Sequence, residues 1–596
     1  VSTVAHLSPC EGHIFSASIQ PAEVIEQTVQ TLLSYDHGVS TEPLLGRTIG
    51  DHFTLVAADN CSEPALISCE QGQSYTYTEL KERVDLLARG FLRLGIARGD
   101  RLGIWSTNNA EWVMTQLAAA EVGAVLVNIN PAYRTHELEY ALKQSGVKLL
   151  VVIPSFKTSD YLSMLNGLVH NLFCVDGDHK LSCLPQLEHI VVIGKDVELQ
   201  GKLMSFERVI AMGAETPGAE LTKRMSELQF DDPVNIQYTS GTTGLPKGVT
   251  LSHHNLLNNA VMAARVMDLD NASRFCVPMP FYHCGGMISS SLAALSVGGT
   301  VVIPGPYFNE DEVLNAVQDH HCTHVSGVPT MFIAQLDHPE FSSFDLSSLR
   351  GGFMAGAPCP VQLMRRVAGE MHMDEVVILY GLTEASPLMT ATTANDSLEV
   401  RSTTVGRAIP GIEVKIVDPV TSFVVPRGVQ GEICSRGHGV MLGYWNNPGA
   451  TADAIDKAGW LHSGDLGVMQ ENGLINITGR KKDMIIRGGE NIYPREIEEI
   501  LLDHPGVNQA QIFGVPDEKL GEEVAAWILL KHGAHADAAQ ITEWLKDRIA
   551  FFKVPRYIKI VSEFPMTVTG KIQKFVMREQ MIKDLGLEGA SQIQTA

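Results

Sequence analysis

The sequence predicts an α/β fold: a large N-terminal domain of two α/β subdomains with a β-rich subdomain, then a small α+β domain. Three observations carry that expectation. Between Arg101 and Ile153, strand-sized apolar runs alternate with segments of helical periodicity. The same alternation returns between about Asn255 and Tyr380. From about Gly411 it gives way to closely spaced β-rich segments separated by Gly turns.

In chain order, Leu80, Val84, Leu87, Phe91 and Leu94 fall at helical spacing between Thr78, the expected cap, and Gly95, the expected stop. A strand is expected near Arg101–Trp105, a helix near Ala110–Val122, a strand near Ala124–Asn128, a helix near Thr135–Ser145 and a strand near Lys148–Ile153. This βαβαβ rhythm predicts a parallel sheet with helices on its faces. In the second unit, Thr300–Ile303 and Val376–Leu379 read as strands. Glu413–Val417, Gly431–Ser435 and Leu474–Thr478 read as the β-rich part. The final unit should hold a helix from Pro494, strands near Val507–Val515 and Glu523–Leu530, a helix near Ala538–Ile549 and a strand near Tyr557–Val561. The charged string Arg480-Lys481-Lys482-Asp483 marks the junction. The expected division is a lead over 1–50, a large domain over 51–480 and a small domain over 481–596.

Composition bounds the function. At 596 residues the chain is several times a usual domain length, and 45% hydrophobic with 19% charged residues is globular usage. Lys plus Arg number 45 against 68 Asp plus Glu, a formal charge of −23, which disfavours a nucleic-acid partner. The ten cysteines form no CxxC pair, as in a reducing compartment. No run approaches the roughly 18 apolar residues of a membrane span, so no transmembrane segment is expected. The first 50 residues hold five acids and one base, unlike an Arg-rich transit peptide. The start at Val1 fits a removed presequence or numbering that begins inside a longer chain.

The strongest local signal is Thr239-Ser240-Gly241-Thr242-Thr243-Gly244-Leu245-Pro246-Lys247-Gly248. Glycines free backbone N–H groups to face a polyphosphate, hydroxyls add donors, and Lys247 adds positive charge. It is not a Walker A loop, which would need Gly at Pro246 and Ser or Thr at Gly248. That disfavours a P-loop kinase or ATPase. The cluster His320, His321, Cys322 and His324 lacks further ligands at a usual metal spacing.

Together with Tyr380-Gly381-Leu382-Thr383-Glu384, Ser463-Gly464-Asp465 and Gly479-Arg480, this loop resembles the adenylate-forming superfamily of acyl-CoA synthetases, luciferases and peptide-synthetase adenylation domains. The likeness runs from about Ser74 to about Gln580. The strings Met484 to Pro494 and Thr569-Gly570-Lys571-Ile572-Gln573-Lys574 most resemble the mitochondrial medium-chain branch of the acyl-CoA synthetases. The resemblance implies a two-step ligase for fatty acids, with ATP, Mg²⁺ and CoA, and a mitochondrial matrix location, or else the cytoplasm. It also leaves open a carrier-loading enzyme or a luciferase-like oxygenase.

By the same resemblance, Lys571 is the catalytic cation, Glu384 the Mg²⁺ ligand and Thr383 a phosphate contact. Residues 239–247 cradle the phosphates. Tyr380, with Gly381, and the Gly356-Ala357 turn enclose the adenine, while Asp465 and Arg480 hold the ribose. His283 borders the acyl pocket, Lys482 is the hinge on which a mobile small domain turns, and Gly488, Gly489 and Glu490 face CoA. The acyl pocket is expected near Phe281–Gly286, Ser326–Met331, Phe353–Gly356 and Leu382–Pro387. There Gly327, Gly352, Gly356 and Ala385 would leave room, and Met331, Met354 and Met389 would repack around the tail.

Overall fold

Many of the helices begin where short polar side chains can cap them, as at Thr48, Thr76, Asn109 and Ser252. The computed structural model describes residues 32–169, 184–194, 203–239, 246–357, 359–487, 490–517, 519–546, 548–566 and 572–587. The helix Tyr77–Arg93 opens on a reciprocal capping box: Glu79 N donates to Thr76 Oγ1 (3.2 Å) and Thr76 N to Glu79 Oε2 (2.8 Å). The cap is therefore Thr76 and not the expected Thr78, whose hydroxyl instead donates to Cys61 O at 2.9 Å. The helix Ala110–Val122 is capped by Asn109 and stopped by Gly123 at φ 72°. Every residue of it except Glu111 is buried, so it must lie between two packed layers and not on a surface.

Those layers are two large sheets. In the first, Leu203–Ser205, His189–Val192, Val147–Val152, Arg101–Trp105, Val125–Ile129 and Pro233–Thr239 lie side by side in parallel. Lys247–Ser252 and Gly443–Tyr444 continue it antiparallel. In the second, Glu375–Gly381, Gly351–Ala355, His324–Gly327, Arg274–Cys276, Thr300–Ile303 and Pro64–Ser68 run parallel in that order. Leu388–Ala391 and Gln73–Thr76 pair antiparallel to its two outer parallel strands.

Strand alternation divides the core. Leu102, Ile104 and Leu126 of the first sheet share one cluster with Phe275, Val301, Phe353 and Val377 of the second, through the helices Tyr77–Arg93, Ala110–Val122 and His253–Val266. The opposite faces, Val125, Val127 and Val152 on one sheet and Val302, Val325 and Met354 on the other, pack under outer helices. The result is helix, sheet, helix, sheet, helix. Met354 thus faces away from the shared layer and cannot repack around a tail there. Gly352, at φ 130°, has Val325 O only 2.0 Å from where a Cβ would stand. Its smallness serves strand packing and leaves no acyl space.

A third, antiparallel sheet orders Tyr35–His37, Ile412–Val417, Gly431–Gly437, Leu461–Met469 and Ile475–Arg480. The described part of the expected lead is thus woven in: Tyr35–His37 pairs with Glu413–Lys415, and the helix Ile49–Asp59 begins before position 51. The C-terminal unit has its own sheet of Glu490–Ile492, Ile485–Arg487, Gly521–Leu530, Val507–Asp517 and Tyr557–Val561. The helices Pro494–Leu502, Ala538–Lys546 and Lys574–Leu585 accompany it. Among the described residues, no helix is long and apolar enough to cross a membrane.

Candidate active site

The expected nucleotide residues gather where the parallel strands of the second sheet end, the side on which open α/β sheets take ligands. Ala355 is paired with Leu379, so Gly356, at φ 82°, turns beside Tyr380. Gly381 follows, and a Cβ there would lie 1.7 Å from Pro387 O, so the chain can fold back only on glycine. Ala357 is exposed at the same edge.

Tyr380 Oη donates to Asp465 Oδ2 at 2.9 Å, and Arg480 Nε stands 3.0 Å from Asp465 Oδ1. Asp465 and Arg480 face each other across neighbouring strands. Burial, then the adjacent carboxylate, pushes the Tyr380 phenol well above its usual range, so it remains a donor. Asp465 is nearly enclosed, while the Arg480 side chain is 54% exposed, so the pair orients more than it stabilises. The three residues expected around adenine and ribose form one connected array.

Glu384 is the middle residue of the short turn Thr383–Ala385. Its Oε1 accepts from Tyr444 Oη at 2.8 Å, and its backbone O from Met441 N at 2.9 Å. Lys247 Nζ lies 4.9 Å from the centroid of the Tyr444 ring. Burial, with Glu384 adding to it, raises the Tyr444 phenol. Thr239 and Lys247 are register partners at the mouth of a hairpin, and Tyr140 Oη donates to Pro246 O at 3.0 Å. Ser240, Gly241, Thr242, Thr243, Gly244 and Leu245, between them, lie outside the described residues, as do Lys571, Gly488 and Gly489. Glu490 is described only as backbone, paired with Arg487. Lys482 sits in an exposed turn immediately after Arg480.

His283 accepts from Gly285 N through Nδ1 at 3.2 Å, which in a neutral ring places the proton on Nε2. The next residue, Cys284, has its sulfur 3.8 Å from Thr383 Oγ1, so the His283 segment and the Glu384 turn meet. From Gly285 to Leu292 the chain is a π-helix, with Ser290 Oγ donating to Gly285 O at 2.8 Å. The expected acyl-pocket residues Phe281, Met331, Phe353 and Met389 all belong to the layer shared by the two sheets.

Sequence reasoning passed over several residues that hold this site. Asn259, wholly buried on the helix His253–Val266, accepts from Leu388 N (3.0 Å) and donates to Leu388 O (3.0 Å) and Ala385 O (3.3 Å), fastening the turn behind Glu384. A buried amide series, Gln237 to Asn235 to Asn128, each step 2.9 Å, ends with Asn128 Nδ2 donating to Tyr282 O at 3.2 Å. Asn255, Asn258 and Asn259, set among Leu256, Leu257, Ala260, Val261 and Met262, were a readable signal. Nothing local marked Tyr444.

His324, in the histidine cluster, is buried: its Nε2 contacts Met267 O at 3.2 Å and its Nδ1 Thr323 Oγ1 at 2.8 Å. Among the described residues no three His, Cys, Asp or Glu groups are arranged to hold a metal by themselves. A cation at Glu384 would therefore need phosphate oxygens and water as co-ligands, which suits Mg²⁺ with a nucleoside triphosphate.

The Tyr380–Asp465–Arg480 array and the Glu384 carboxylate at these strand ends, joined through Tyr444 to the pair of strands that flank the glycine-rich sequence, suit a nucleotide-activating enzyme. The family model described as AMP-binding enzyme matches residues 53–445, and the AMP-binding enzyme C-terminal domain matches 496–571. The chain belongs to the AMP-binding enzyme family, within the adenylate-forming superfamily. It is 45% identical over 548 residues to YngI of Bacillus subtilis (strain 168), covering 92% of this chain and 99% of that one. It is 40% identical over 560 residues to the medium-chain acyl-CoA ligase ACSF2, mitochondrial, of Homo sapiens, covering 93% and 91%. The crystal structure of the anthranilate CoA ligase AuaEII in complex with anthranoyl-AMP superposes with a TM-score of 0.79 at 26% identity, over 91% of this chain and 99% of that one.

Proposed function

We propose that the chain activates medium-chain fatty acids as acyl-adenylates and passes them to CoA. It is an ATP-dependent acid–thiol ligase: carboxylic acid, ATP and CoA yield acyl-CoA, AMP and pyrophosphate. In the first step a carboxylate oxygen bonds to the α-phosphorus and pyrophosphate leaves with the electrons of the broken P–O bond. In the second, the CoA sulfur bonds to the acyl carbon, AMP leaves, and the thiol proton passes to solvent. The observation that carries the reading is the convergence, within five residues of one strand end, of the Tyr380–Asp465–Arg480 array and the Glu384–Tyr444–Lys247 group.

Each residue then has a task. Tyr380, Gly381, Gly356 and Ala357 enclose the adenine, and Asp465 and Arg480 fix the ribose. Residues 239–247 cradle the phosphates, with Thr383 adding a contact. Mg²⁺ held by Glu384 neutralises charge on the phosphate oxygens when bound. Lys571 supplies positive charge to the carboxylate and α-phosphate as they meet. His283 borders the acyl entrance, and Gly488, Gly489 and Glu490 line the approach of CoA. The domains follow this division, 51–480 together with the strand Tyr35–His37 and the start of the helix Ile49–Asp59 carrying the nucleotide site and 481–596 the moving part. The vertebrate relatives' mitochondrial name supports a matrix location; the bacterial relative keeps the cytoplasm as the second reading.

The test is mass-spectrometric detection of acyl-AMP and acyl-CoA from ATP, Mg²⁺, CoA and straight-chain acids from acetate to stearate. The expected result is acyl-CoA with a maximum among medium chains, graded because each methylene contributes only about 0.8 kcal/mol. Lys571→Ala should reduce acyl-AMP formation at least about 100-fold. Acyl-AMP without acyl-CoA would replace CoA by a carrier protein or oxygen. Wild-type rates in Lys571→Ala would remove that residue from the chemistry.

A further inference from the structure

Tyr444 lies outside the motifs that marked the site, yet it touches two of them. Its hydroxyl donates to Glu384 Oε1 at 2.8 Å, while its ring lies 4.9 Å from Lys247 Nζ, at the foot of the glycine-rich hairpin. The backbone around it is tied to both sides. Toward the first sheet, Tyr444 is the register partner of Val249 and Trp445 N donates to Gly248 O at 2.7 Å. Tyr444 N is taken by Thr451 Oγ1 at 2.9 Å. Toward the second sheet, Met441 N donates to Glu384 O at 2.9 Å, and Ser386 Oγ to Gly439 O at 2.6 Å. The segment from Gly439 to Trp445 is thus a strap joining the phosphate hairpin to the carboxylate turn.

We propose that Tyr444 is a positioning residue that sets the Glu384 carboxylate for the Mg²⁺-bound triphosphate and keeps Lys247 beside it. The proposal rests on the ligase reading above. A carboxylate held through one oxygen is fixed in rotamer and turns its other oxygen toward a ligand, the office that outer hydrogen-bond partners serve at metal sites. The hold on Lys247 is of a different kind. A ring face attracts an exposed ammonium only weakly, so the lysine is kept near the hairpin and still yields to phosphate. One side chain thereby holds the cation and the carboxylate near each other.

The test uses the full chain with Tyr444→Phe, which keeps the ring and removes the hydroxyl; its melting temperature checks the fold. Binding is read without turnover, by electron paramagnetic resonance of Mn²⁺ titrated with ATP in the absence of acid and CoA. Mn²⁺–ATP affinity should fall about 10-fold, and acyl-AMP formation with it, while CoA attack on supplied acyl-AMP stays within about two-fold of wild type. In a Glu384→Gln background the same change should add no further loss. Unchanged Mn²⁺–ATP affinity in Tyr444→Phe would overturn the proposal, and so would equal losses in both half-reactions. A wild-type protein that forms no acyl-AMP would instead defeat the ligase reading itself.

Discussion

Asp465 has two protein partners on two different elements, and this makes its substitution informative. Oδ2 takes the Tyr380 hydroxyl and Oδ1 faces Arg480, so one side chain ties the end of the Tyr380 strand to the end of the Arg480 strand. Asp465→Asn can still accept from Tyr380 but no longer offsets the guanidinium. Because Arg480 is more than half exposed, water replaces most of that interaction and stability should change by less than about 1 kcal/mol. On the proposed ribose contact, the KM for ATP should rise about 10-fold or more, with a smaller change in kcat, because that contact loses its charged acceptor. Steady-state kinetics at saturating acid and CoA measure this; an unchanged KM would take Asp465 away from the ribose. Asp465, Arg480, Tyr380 and Glu384 could be singled out in the sequence because each opens or closes a short string that carries the family resemblance. Tyr444 and Asn259 were not, since their partners lie 60 and 126 or more residues away and only the packed sheets bring them together.

Among elements, the decisive boundary is the one between two sheets. Ile475–Arg480 belongs to the antiparallel sheet of the large domain and Ile485–Arg487 to the sheet of the small one, and only a turn joins them. Asp483 N and Met484 N both donate to Arg480 O at 3.1 Å, leaving Lys482 exposed at the apex. If the small domain turns between half-reactions, the dihedral change is concentrated here. Lys482→Pro fixes φ near −65° and should freeze one arrangement. Acyl-AMP formation should stay within about three-fold while thioester formation falls at least about 100-fold, read by supplying each half-reaction separately. Equal losses would refute a pure hinge role. Elements with a single strong signal were read from sequence to within a residue or two, as with Arg101–Trp105, Ala110–Val122 and Tyr557–Val561. The misplaced cap at Tyr77–Arg93 has a specific cause: Thr76 and Thr78 both suit a cap, but only Thr76 has Glu79 at the third helical position to complete the box.

At the scale of the molecule, the sequence's alternation gave two α/β units but not the layer between them, because which face of a strand turns inward depends on pairing hundreds of residues apart. The folded chain also buries ionisable groups, and they give the folded state a pH signature. His253 and His438 are buried, and desolvation lowers each to about 4; His324, at the inner face of the second sheet, is also lowered to about 4. Unfolded histidines take protons near 6.5, so as pH falls from there toward 4 the unfolded chain binds protons the folded one refuses, and stability drops. Glu121 works in the opposite direction. It is fully buried where the helix Ala110–Val122 meets Tyr77–Arg93, with Lys81 Nζ 3.3 Å from Oε1, and burial raises its carboxyl to about 8 against the pull of Lys81. Between about 4.5 and 8 the folded chain therefore keeps a proton that the unfolded chain has lost, and this residue's contribution to stability declines as pH rises. Glu121→Gln removes that slope while keeping the side chain's shape. Its stability relative to wild type should improve with rising pH between 5 and 7.5, by at most ~1.4 kcal/mol per pH unit. Urea-denaturation midpoints at half-unit pH steps measure it. A gap that stays constant with pH would mean that the carboxyl is ionised throughout, held so by Lys81, and that the helix interface tolerates a buried ion pair in place of a buried acid.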